Sequence, residues 1–236
     1  MHLAILMTNT DESAFARAHP LDGEKFTRFI HLARPGWTVE VHAVKDGQFP
    51  AGLEGLDGAM ITGSPASVRS GAPWVGQLLA LIREMESRRL PMFGACFGHQ
   101  AIALALGGTV DANPGGWVHG VVPVEITRQP DFSALADRIH LCASHAEQVS
   151  ALPPGARGFA TSPGCAEAGF TLGAHVVTIQ HHPEMTPAFL AALTEVMAAD
   201  LGPDLTARAR ESLEIAPDQA AFAETVARFF EGAARG

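Results

Sequence analysis

A lone cysteine stands between an apolar run and a helical stretch, with glycine two residues away on either side: Pro91-Met92-Phe93-Gly94-Ala95, then Cys96, then Phe97 and Gly98 through Leu106. A short apolar run without polar alternation predicts a strand buried on both faces, which requires helices on both sides of a parallel sheet. A sharp strand-to-helix turn needs small residues flanking its apex, because the backbone there is strained and packed against its neighbours. Such a turn leaves the Cys96 side chain at the sheet's carboxyl edge, at a helix N-terminus whose dipole favours a negatively charged sulfur. That is the layout of a nucleophile elbow.

The rest of the first half repeats the same alternation. Residues 2–7 are apolar, 23–33 carry Phe26, Phe29 and Ile30 at helical spacing, and Trp37, Val39 and Val41 alternate as a second strand. Ala59-Met60-Ile61 predicts a third strand and 73–88 a helix, with Gly107-Gly108 closing the helix after Cys96. Beyond residue 109 the runs 118–127, 139–143, 158–162 and 175–180 read as strands between Pro/Gly turns, so the sheet is expected to be mixed. Thr186-Pro187 reads as an N-cap and first-turn proline of a helix ending near Ala199, and a last helix starts near Pro217. The expected fold is α/β, a three-layer sandwich around an open, mostly parallel mixed sheet of flavodoxin-like type. Residues 1–185 are expected to form the catalytic domain and 186–236 a helical extension packed on it.

A thiolate attacking an amide needs a proton carrier, and Ile179-Gln180-His181-His182-Pro183-Glu184 follows an apolar strand. Glu184, two residues beyond His182, is spaced to accept the imidazole's other N–H and fix its tautomer. His181 is the rival, since neighbours on an extended segment point opposite ways and one of the two faces the sulfur.

Composition narrows the function. Sixteen Lys+Arg against 25 Asp+Glu give a net charge of −9 with no basic stripe, which argues against nucleic acid. No stretch approaches the roughly 18 consecutive apolar residues of a membrane span, and the N-terminal run lacks the basic flank of a signal peptide. Three cysteines, Cys96, Cys142 and Cys165, without paired spacing suggest neither a disulfide framework nor zinc, and a reducing cytoplasm fits best. Neither a metal nor a cofactor is called for: no H-E-x-x-H and no Walker-type loop is present.

Gly94 to Gln100 resembles the G-x-C-x-G-H-Q element of class I glutamine amidotransferases, and Gln180 to Glu184 resembles their Q-x-H-P-E element. The resemblance implies that family's fold and a triad of Cys96 as nucleophile, His182 as base and Glu184 as orienting carboxylate. Thr62 to Val68 is similar to the family's oxyanion loop, implying that Gly63 or Ser64 donates alongside the amide of Phe97; Ser64 stands where the family often has glycine. Gln100, Ser144 and His145 match segments that line the substrate pocket, and Leu152-Pro153-Pro154-Gly155 matches a family turn. Asn113-Pro114-Gly115-Gly116-Trp117 is similar to a turn of the free-standing GMP synthase-like group, which includes γ-glutamyl peptidases. The implied activity is hydrolysis of the γ-amide of glutamine or a γ-glutamyl compound through a thioester. The alternative is a glutaminase subunit feeding ammonia to a separate ATP-dependent synthetase such as GMP synthase. A homodimer or a synthetase partner is compatible with either.

Overall fold

The computed structural model describes residues 1–234 of the chain. In chain order it contains β1 (His2–Met7), α1 (Ala14–Arg17), α2 (Asp22–Ala33), β2 (Thr38–Ala43), β3 (Gly58–Ile61), α3 (Pro73–Ser87), β4 (Met92–Ala95) and α4 (Phe97–Ala105). There follow β5 (Thr109–Ala112), β6 (Val118–Ile126), β7 (Arg138–His145), β8 (Glu147–Ala151), β9 (Arg157–Ser162), β10 (Cys165–Leu172), β11 (Val176–Ile179), α5 (Pro187–Ser212) and α6 (Gln219–Ala233).

Nine strands form one open sheet in the order β2-β1-β3-β4-β11-β10-β9-β6-β7. The first five run parallel, and β10, β9, β6 and β7 add antiparallel pairings. Successive side chains on a strand point to opposite faces, and β1 shows the consequence. Leu3 and Ile5 join a core with Phe26, Phe29 and Ile30 of α2 and Phe222, Val226 and Phe230 of α6. Ala4 and Leu6 join the opposite core with Leu78 and Ile82 of α3 and Ile102 of α4. Three layers result, with α2 and α6 on one side of the sheet and α3 and α4 on the other.

The second half departs from the sequence expectation in two places. Thr186 does cap its helix, its hydroxyl accepting from the Phe189 N–H at 3.2 Å, and that helix breaks just beyond Ala199, but α5 does not stop there. It turns at Gly202 (φ 74°, ψ 166°) and resumes through Pro203 to Ser212, because proline at the start of a helical turn costs no hydrogen bond. The strands β5, β8 and β10 are the second departure. Strand β10 contains Gly169, where a Cβ would lie 2.9 Å from the Phe159 ring and 3.0 Å from the Thr178 carbonyl. Packing, not strand propensity, selects that residue. No helix among the described residues is long and apolar enough to cross a membrane.

Phe93 of β4 is the centre of the first core, its ring 6.5 Å from Phe26, 6.2 Å from Phe29 and 6.3 Å from Phe222. Phe93→Ala should lower unfolding free energy by about 3–5 kcal/mol in urea titration; a loss below about 1 kcal/mol would contradict this packing.

Candidate active site

Cys96 occupies the turn between β4 and α4 with φ 50° and ψ −107°, a conformation costing a non-glycine residue on the order of 1–3 kcal/mol. Neighbouring contacts hold it there. The Cys96 N–H donates to the Ile179 carbonyl at 2.9 Å, its carbonyl accepts from Gln100 N–H at 3.1 Å, and Gly98 N–H donates to Thr62 at 3.1 Å. A Cβ on Gly94 would come within 2.7 Å of the Gly98 backbone, and one on Gly98 would collide with the Ile61 carbonyl. Both glycines are therefore demanded by close approach of α4 to β3 and β4.

His182 reaches the sulfur because its backbone is fastened to β7: its N–H donates to the Cys142 carbonyl at 2.8 Å. Its imidazole and the Cys96 side chain both border the Gly63 backbone, and its Nδ1 lies 2.8 Å from Glu184 Oε1. Burial would push the imidazolium down, but the neighbouring Cys96 and Glu184, the latter hydrogen-bonded to the ring, hold its pKa well above the ordinary value. His181 turns the other way. It is fully buried, with Nε2 2.8 Å from Ser162 Oγ.

The loop after β3 closes the site. A Cβ on Gly63 would stand 2.7 Å from His182 Cε1 and 3.6 Å from Cys96 Cβ, so this backbone lies against both groups. Phe97 opens α4, whose first-turn amides have no acceptor within the helix. Gly63, Ser64, Cys96, Gln100, Ser144, His145, His182 and Glu184 all line one cavity of about 360 Å³. Gln100 Nε2 donates to the Glu147 carbonyl at 2.9 Å and to Gln180 Oε1 at 3.2 Å. Ser144 Oγ is 3.1 Å from His119 Nδ1, and His145 Nδ1 is 3.1 Å from the Glu147 carbonyl.

Two residues that carried no sequence signal fix the loop at its ends. Buried Thr8, just after β1, has its Oγ1 3.0 Å from the carbonyl oxygens of both Thr62 and Gly63, which share its one hydroxyl hydrogen. At the other end Glu147 accepts from Ser67 Oγ at 2.8 Å and Arg69 Nη2 at 2.6 Å. Cys142 and Cys165 are free, buried thiols, pushed up to about 12 by burial.

The glutamine amidotransferase class-I family model matches residues 29–190, and the chain belongs to that family. It is 27% identical to gamma-glutamyl peptidase 3 of Arabidopsis thaliana, covering 89% of this chain and 90% of that one. It is 33% identical to a glutamine-hydrolyzing GMP synthase subunit of Methanosarcina acetivorans over 55% of this chain, and spans less than two thirds of that protein, 65%. The crystal structure of a glutamine amidotransferase from Thermotoga maritima superposes with a TM-score of 0.77 at 20% identity, covering 100% of this chain and 98% of that one.

Four histidines around the site stay neutral. Burial drives His99 down to about 3 and His119 and His145 to about 4, and it drives His181 well below the ordinary value of 6.5. The unfolded chain therefore binds protons that the folded chain refuses, so stability falls as pH drops below about 6.5. Each such group costs up to about 1.4 kcal/mol per pH unit in that window. His182 has the opposite sign: its contribution is complete below 6.5 and is lost only as pH rises through its raised folded value. Urea midpoints should fall steeply between pH 7 and pH 5, and an unchanged midpoint would contradict neutral burial of these four rings.

Proposed function

We propose that this chain is a cysteine-dependent hydrolase of γ-glutamyl amides, working through Cys96, His182 and Glu184. The observation that carries the reading is the buried Cys96–His182 pair at a strained elbow, with Glu184 on the far imidazole nitrogen at 2.8 Å. The sulfur attacks the γ-carbonyl carbon, and negative charge moves onto the carbonyl oxygen. The amide of Phe97, with that of Gly63 or Ser64, stabilises this oxyanion, since donors aimed where charge develops lower the barrier most. His182 delivers its proton to the leaving nitrogen, leaving a γ-glutamyl thioester on Cys96. A water that gives its proton to His182 then attacks the thioester and releases glutamate. Glu184 keeps the imidazole oriented throughout, and Gln100, Ser144 and His145 bind the glutamyl half.

A second reading, a glutaminase subunit feeding a separate synthetase, draws on kinship with the Methanosarcina GMP synthase subunit. Against it stands the oxyanion loop, already tied to β1 through Thr8 and to β8 through Glu147. A partner-gated glutaminase needs a loop with two arrangements for the partner to bias. A loop fastened at both ends favours a hydrolase that acts alone.

Purified chain with nothing added should release glutamate from at least one γ-glutamyl amide faster than from glutamine. Cys96→Ala should lower kcat by about a thousandfold or more, and His182→Ala should cost more than Glu184→Ala. Negligible activity on a panel of γ-glutamyl compounds, with glutaminase strongly stimulated by an ATP-dependent synthetase, would establish the second reading instead.

A further inference from the structure

Two cavities adjoin, and the sulfur stands in the wall of the first. The first is the site already described; the second, about 370 Å³, lies beyond it. Asn9, Asp11, Phe15, Asp22, Lys25 and Phe189 belong to the walls of both, so the two adjoin along that band, the seam between them. Glutamine has no use for a second chamber, because its amine half leaves as ammonia. An amide carrying a larger amine does.

The position of the seam matches the direction in which such an amine must leave. A general acid has to reach the leaving nitrogen, so the amine half lies on His182's side of the sulfur. From His182 the chain passes through Glu184 and Met185, both in the first wall, to Phe189 in the first turn of α5, which stands in the seam. Gln100, Ser144 and His145 line the first chamber alone.

Charge then selects the kind of amine. The Lys25 ammonium is already held, 2.8 Å from Asp22 and 3.7 Å from the centre of the Phe189 ring. Lys45, in the second chamber, is bound by Glu12 at 2.9 Å and Asp46 at 2.8 Å. Arg17 is exposed at the outer end and donates to the Glu12 carbonyl. Asp11 is different: its carboxylate accepts from the Ser13 N–H at 2.8 Å and forms no ion pair among the described residues. It is half-buried in the seam, where Phe15 and Phe189 pack ring against ring with centres 5.4 Å apart. Apolar ring faces beside an unpaired carboxylate suit a hydrocarbon chain ending in a cation.

We propose that the seam and second chamber are the subsite for the amine half of the substrate, and that they take an aliphatic amine carrying a second ammonium group, which Asp11 receives. This rests on the γ-glutamyl hydrolase reading. In the reaction the Cys96 S–C bond forms as the C–N bond breaks, the proton passes from His182 to the leaving nitrogen, and a free diamine departs. Water then cleaves the thioester to glutamate.

The test uses three γ-glutamyl amides that differ only at the chain end: those of diaminobutane, butylamine and aminobutyrate. Glutamate release should give the diamine amide a kcat/KM roughly tenfold or more above the butylamide, a typical worth for a hydrogen bond to a charged group, with the aminobutyrate amide poorest. Asp11→Asn should collapse the diamine-to-butylamide ratio to near one, and Asp11→Lys should turn the preference toward the carboxylate-ended substrate. A ratio that Asp11→Asn leaves intact, equal rates on all three, or a preference for aminobutyrate in the unaltered protein would overturn the subsite while leaving the hydrolase standing. Cleavage of glutamine alone would likewise overturn the subsite. No glutamate from any compound, glutamine included, would overturn both.

Discussion

Everything at the site hangs on how closely α4 is laid against β3 and β4. Gly98 touches the Ile61 carbonyl so tightly that no side chain fits, and its N–H is bonded to the Thr62 carbonyl. This contact forces the chain to turn within one residue, and Cys96 is that residue, at φ 50°. The cost is on the order of 1–3 kcal/mol, small against the sandwich of buried phenylalanines that holds both elements. The strain is thus sustained by packing, and its product is a sulfur that stands at the sheet's edge with the first turn of a helix behind it. The same contact also sets the loop beyond Thr62 beside the sulfur.

Around that sulfur, charge is handled in two ways. Against its own burial, the pKa of His182 is raised by Cys96 and Glu184, while those of His99, His119, His145 and His181 are driven down by burial. The loop at Gly63 is held by bonds from Thr8, just after β1, and from Glu147 of β8. The chain belongs to the class-I glutamine amidotransferase family and shares its fold with a Thermotoga maritima glutamine amidotransferase.

How much of this could be read from the sequence follows from the range of the interactions involved. The elbow and the His182–Glu184 spacing are local, so residues 94–100 and 180–184 disclose them directly. The strands β1, β3, β4 and β11 are buried on both faces, and unbroken apolar runs betray them. Strand β8 is different: a polar pair partner of β5, it carries Glu147, Gln148 and Ser150 and has no apolar run to reveal it. Helix α5 hid its second half because Gly202-Pro203 reads as a stop, yet proline there starts a new turn. The choice between His181 and His182 depended on a bond to Cys142, forty residues away. Thr8 and Glu147 acquire their roles only from contacts across the fold, with residues 62 and 63 and with residues 67 and 69, and no neighbour in sequence marks them.

The central claim is that the Cys96 sulfur carries the glutamyl group during turnover, and rapid acid quench followed by peptide mass spectrometry addresses it most directly. Mixed with a γ-glutamyl amide and stopped during the first turnover, the protein should carry a γ-glutamyl adduct on the peptide containing Cys96. That adduct should be removed by hydroxylamine, as a thioester is, and should be absent from the peptides containing Cys142 and Cys165. Turnover with no adduct on Cys96, or an adduct on another residue, would contradict the account.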